Sequence, residues 1–61
     1  MNTSELFNFC KEKIKEFPHL KEEIMDIYQL AVDEIEEGGS EIHECSLAES
    51  EILDIIKDET S

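Results

Sequence analysis

Sixty-one residues with a mass of 7.1 kDa allow one small domain, and 17 Asp and Glu against 5 Lys leave a net charge of −12 with both histidines neutral. A chain of this length buries only about 60% of the surface its unfolded form exposes, which leaves little depth for a catalytic cleft. So strong a negative charge repels phosphates and excludes direct nucleic-acid binding, and short apolar runs such as Leu6-Phe7 and Ile55-Ile56 fall far below the roughly 20 residues that span a membrane.

Apolar residues recur at spacings of three and four with almost no strand-like alternation, which predicts an all-α chain. In the first segment Leu6, Cys10, Ile14 and Phe17 form one stripe with Phe7 and Phe9 on its flanks, and Asn2 followed by Glu5 gives a start signal. Phe17-Pro18 ends that helix, because proline removes a donor and disfavours a helical residue before it while fitting the first turn of the next helix. In the second helix Leu20, Ile24, Ile27, Ala31 and Ile35 form the stripe, widened by Tyr28 and Leu30, with Met25 and Val32 further out. Gly38-Gly39-Ser40 supplies a left-handed stop and a cap for the third helix, whose expected core is Ile42, Cys45, Ala48, Ile52, Leu53, Ile55 and Ile56. The result is a single three-helix bundle over residues 1–61, with helices at about 3–16, 18–37 and 41–57 and a frayed tail from Asp58.

Charge divides the chain. Residues 1–21 carry four Lys and three Glu, a net of +1, and residues 22–61 carry 14 acids and one Lys, a net of −13. Lysines of the first helix are expected to pair with acids of the other two, but five cations cannot neutralise seventeen anions, so self-repulsion costs stability at low salt.

No metal or cofactor is expected. Asp33, Glu37, Gly38, Glu41 and Glu44 can be laid on a twelve-residue calcium loop, yet Ile35 then falls on a ligand position and supplies no oxygen. Helix capping alone accounts for Gly38, Gly39 and Ser40. Cys10, His19, His43 and Cys45 lack the paired spacing of a zinc site, and both cysteines lie on apolar stripes, where a thiol behaves as a small hydrophobe. Two cysteines do not make a disulfide scaffold, and the opening Met1-Asn2-Thr3-Ser4-Glu5 is no secretory signal, so a cytoplasmic chain with reduced thiols is expected. Carboxylates abound, but a general acid needs a pocket that raises its pKa, and no glycine-rich phosphate loop is present. No enzymatic activity is expected.

Glu49 falls among Ile42, Cys45, Leu53 and Ile56 on the third helix, so a carboxylate borders the apolar face. It reaches water or a lysine of the first helix, hydrogen-bonds Tyr28, or faces a partner. Met25, Val32 and Leu47 fall away from the central stripes and, with Phe9, suggest an apolar patch for a partner or a second copy. Phe9, Met25, Val32, Leu47 and Glu49 are therefore the candidate interaction residues. A homodimer would use the least acidic surface, the first helix with Lys11, Lys13 and Lys15.

Over residues 18–56 the chain shows Pro18, Leu20, Lys21, a central Tyr28, then Asp33-Glu34-Ile35-Glu36, Gly38-Gly39-Ser40 and His43-Glu44. In these positions it resembles a group of short acidic helical proteins encoded by tailed phages and some bacteria. The resemblance covers about two thirds of the chain and implies a phage-type accessory protein working in the host cytoplasm, with no activity to carry over. Two functions fit the composition. One is a module that binds a host or phage protein through apolar residues framed by carboxylates. The other is a nucleic-acid mimic that blocks a basic DNA- or RNA-binding protein. In that reading carboxylates of the second and third helices stand in for phosphates, and the second helix with its approach alone carries eight acids, Glu16, Glu22, Glu23, Asp26, Asp33, Glu34, Glu36 and Glu37.

Overall fold

The computed structural model describes residues 1–60, the side chain of Thr60 excepted. It contains the three helices of the expected bundle, α1 (Thr3–Glu16), α2 (Lys21–Glu36) and α3 (Glu41–Thr60), with a 3-10 turn at Pro18–Leu20. Asn2 and Glu5 start α1 reciprocally: Asn2 Oδ1 accepts from the Glu5 N–H at 2.8 Å, and Glu5 Oε1 accepts from the Asn2 N–H at 3.0 Å. At the other end the Phe17 N–H donates to the Lys13 carbonyl, and Phe17 leaves the helical region. Pro18 then opens a tight turn closed by the Leu20 N–H on the Phe17 carbonyl at 2.9 Å, so α2 begins at Lys21, later than the expected residue 18.

The close of α2 is a Schellman motif. The Gly39 N–H donates to the Glu34 carbonyl at 2.8 Å and the Gly38 N–H to the Ile35 carbonyl at 3.1 Å, with Gly38 at a φ of +106° that side-chain-bearing residues rarely adopt. Ser40 follows and accepts from the His43 N–H at 3.4 Å. The third helix does not fray at Asp58. Nothing in residues 58–60 stops it, and His19 Nε2, 2.9 Å from Glu59 Oε1, holds its last turn to the 3-10 turn. Ser61 lies outside the described residues.

Thr3 meets Glu41 at one end of the bundle and His19 meets Glu59 at the other, so α1 and α3 run parallel with α2 antiparallel between them in sequence. The core is Leu6, Cys10, Leu20, Ile24, Ala31, Cys45, Ala48 and Ile52, with Phe9, Ile14, Phe17, Ile27, Tyr28, Ile35, Ile55 and Ile56 packed around it. Two expected core residues are not in it: Ile42 is 68% exposed and Leu53 45%. At about 100° per residue both lie well around the helix from the Cys45–Ala48–Ile52 stripe. The lysines of α1 also depart from expectation. Among the described residues their ion pair is internal, Lys13 to Glu16 at 3.3 Å, and Lys11 and Lys13 sit over the rings of Phe7 and Phe9 at 5.4 and 5.5 Å from the centroids.

Candidate interaction surface

Joined through residues 37–40, α2 and α3 are antiparallel neighbours. Where they meet, each contributes an alanine: Ala31 and Ala48 are buried, and their small side chains let the two helices approach. Outside them stand Leu30, 63% exposed, and Leu47, 46% exposed. Together with Ile27 they line an open groove of about 260 Å³ whose remaining walls are the carboxylate side chains of Glu34, Glu44 and Glu51. Glu34 and Glu44 lie nearest the interhelical turn, the alanine and leucine pairs in the middle, and Ile27 with Glu51 furthest from it. Glu44 and Glu51 are two helical turns apart, about 10 Å along α3.

This groove faces away from α1. Tyr28 packs on Phe7 of α1, ring centroids 5.5 Å apart at 54°, and Leu30, two residues on, projects from the nearly opposite side of α2. The flank of α2 that Tyr28 occupies also holds Met25 and Val32, three residues before and four after it, and both are half-buried. Phe9 packs against the core with Lys13 above its ring. Glu49 is half-buried, and among the described residues no hydrogen bond joins it to Tyr28. The five candidate residues are thus dispersed, and Leu47 alone of them lines the groove. Of the other lining residues, the sequence pattern placed Leu30 on the apolar arc of the second helix, Glu34 among the acids of the mimicry reading and Glu44 on the calcium-loop alignment, gave Glu51 no role, and set none of them beside Leu47. Their signal was faint: Leu30 and Leu47 each stand at the outer limit of an apolar arc, and nothing in the pattern says that these limits adjoin.

The remaining chemistry-bearing residues have structural surroundings. Cys10 and Cys45 are free, fully buried thiols. Burial pushes the Cys10 thiol up to about 11, with nearby Cys45 acting in the same direction. Cys45 is raised as well, first by burial and then by Glu41, against a lowering influence of the amino terminus. A thiol held protonated is a poor nucleophile and a poor metal ligand. Of the residues that match a calcium loop, Asp33 accepts from Gln29 Nε2 at 3.0 Å and Glu41 accepts from the Thr3 N–H at 2.8 Å. Among the described residues no three His, Cys, Asp or Glu side chains converge as a metal site, and no helix is long and apolar enough to cross a membrane. The bundle measures 34 × 18 × 17 Å, about two helix diameters in each short direction, which leaves little depth for a cleft among the described residues. Compared with known proteins, the chain matches no family model, no curated protein and no solved structure.

Proposed function

We propose that the chain is a non-enzymatic interaction module that captures a basic protein through the α2–α3 groove. The observation that carries this reading is the pairing of Leu30 and Leu47, both substantially exposed, within a frame of Glu34, Glu44 and Glu51. An apolar floor supplies hydrophobic attraction that salt does not screen, and the carboxylates select and steer a cationic partner. A phage-type accessory role in the host cytoplasm is the setting that the resemblance over residues 18–56 supports.

The second reading, a nucleic-acid mimic, is favoured by the acids of α2 and by Glu37 just beyond its end. Glu22, Glu23, Asp26, Asp33, Glu34, Glu36 and Glu37 are all exposed, a broad anionic face with no apolar requirement. Affinity capture from the natural host separates the two. Leu30→Asp with Leu47→Asp changes exposed positions and leaves the core intact, so the variant keeps its helical circular dichroism. A partner retained by the native chain at high salt and lost by this variant supports the groove. A partner released by salt and indifferent to the leucines means mimicry instead.

A further inference from the structure

Charge and spacing around the groove specify what occupies it. We infer that the occupant is a basic amphipathic helix of another protein, bearing two Lys or Arg seven residues apart and a large aliphatic residue midway between them. The inference rests on the reading of the groove as a protein-binding surface and adds the form of the ligand. Glu44 and Glu51 face the groove two turns apart on α3. A helix laid along α3 presents side chains at positions i and i+7 with the same separation of about 10 Å. Between the two acids the floor is Ala31 and Ala48, walled by Leu30 and Leu47. A leucine-sized side chain at i+3 or i+4 fills it. Glu34, on the opposite wall near Glu44, reinforces the cationic requirement at the turn end of the groove.

A second copy of the chain is a poorer occupant for two reasons. Its basic surface is the outer side of α1, where Lys11 and Lys15 are exposed, and each copy brings a net charge of −12. Moreover α1 and the groove lie on opposite sides of the bundle, so α1-in-groove docking runs head to tail and closes no symmetric dimer.

The test uses the full chain with methyl and amide signals assigned by nuclear magnetic resonance, titrated with a designed helical peptide carrying Lys at i and i+7 and Leu at i+4. Saturable shifts at the Ala31 and Ala48 methyls support the proposal, provided that they weaken at least about tenfold for a peptide with Glu at both lysine positions. Rescue of that Glu peptide by Glu44→Lys with Glu51→Lys supports it further and excludes a general loss of structure. Three results overturn it: no methyl shift at millimolar peptide, equal shifts for a peptide with its lysines three residues apart, or groove shifts on self-association without peptide, which seat a second copy there. If the peptide fails while the double-leucine variant still loses its host partner, the ligand form is wrong and the protein-binding reading stands. If that variant retains the partner, the reading itself fails.

Discussion

The backbone N–H of Thr3 donates to Oε2 of Glu41 across 2.8 Å, joining the first residue of α1 to the first residue of α3. The Thr3 hydroxyl lies 3.3 Å from the same oxygen. A carboxylate at the start of a helix is favoured by the helix dipole and satisfies a donor that has no partner inside the helix. Here the capping group comes from another helix, so one bond both completes the amino-terminal end of α1 and sets the parallel alignment of α1 with α3.

Glu41→Ala should therefore cost about 1 kcal/mol, the usual scale of a lost helix cap. Its signature is local: the Thr3 amide exchanges with solvent far faster while amides in the middle of α2 change little. Glu41→Gln keeps an acceptor and should recover part of the loss. Equal exchange at Thr3 in the native and Ala forms would show that the bond does not persist in solution.

At the interhelical turn two glycines act by different physics. Gly38 has open space where a Cβ would stand, so Gly38→Ala suffers only from the φ of +106°, a penalty of about 1–2 kcal/mol that the reduced freedom of the unfolded chain partly offsets. A Cβ on Gly39 would lie 2.8 Å from the Glu34 carbonyl oxygen, so Gly39→Ala must displace the backbone that carries the Schellman bond. The discriminating variant is D-alanine at position 38, accessible by chemical synthesis. It takes positive φ without strain and should raise the thermal midpoint, whereas D-alanine that destabilises would point to an unseen steric conflict.

These turns were the most legible part of the sequence. Asn2 with Glu5 and Gly38 with Gly39 are local signals, read from side-chain chemistry over a few residues, and they fall where the helices begin and end. What the pattern could not supply was the arrangement of neighbours. Helical periodicity places Met25 and Val32 beyond Tyr28 without saying that Phe7 of α1 packs on Tyr28 and that both flanking residues end up half-buried. It likewise places Ile42 and Leu53 beside Cys45 without saying that they stay 68% and 45% exposed once the helices pack. The groove was illegible for the same reason: Leu30 and Leu47 belong to separate arcs until the packing sets α2 beside α3 on the side away from α1.

A core test follows from that distinction. Ile52 is fully buried, and Ile52→Ala should cost ~2–5 kcal/mol, a large share of the stability of so small a domain. Ile42→Ala and Leu53→Ala remove side chains that already touch water and should each cost under about 1 kcal/mol. Urea unfolding of the three variants ranks them, and a Leu53→Ala loss as large as that of Ile52→Ala would return Leu53 to the core.

The buried thiols give the chain an alkaline limit. In the folded state Cys10 holds its proton to about pH 11, whereas the same thiol in the unfolded chain ionises near its ordinary value of 9.0. Between these values the unfolded state binds fewer protons than the folded one, so stability falls as pH rises. The contribution is complete below pH 9, declines by up to about 1.4 kcal/mol per pH unit above it, and is exhausted beyond pH 11. Cys45, raised by the same burial, acts in the same direction. The rest of the chain is common to the native form and Cys10→Ala, so the difference between their urea stabilities from pH 8 to pH 11 reports the Cys10 thiol. The native curve should fall more steeply by about 2–3 kcal/mol over that interval. Parallel curves would mean that solvent reaches Cys10 in the folded state, in which case a thiol reagent should also modify it as fast as it modifies the urea-unfolded chain.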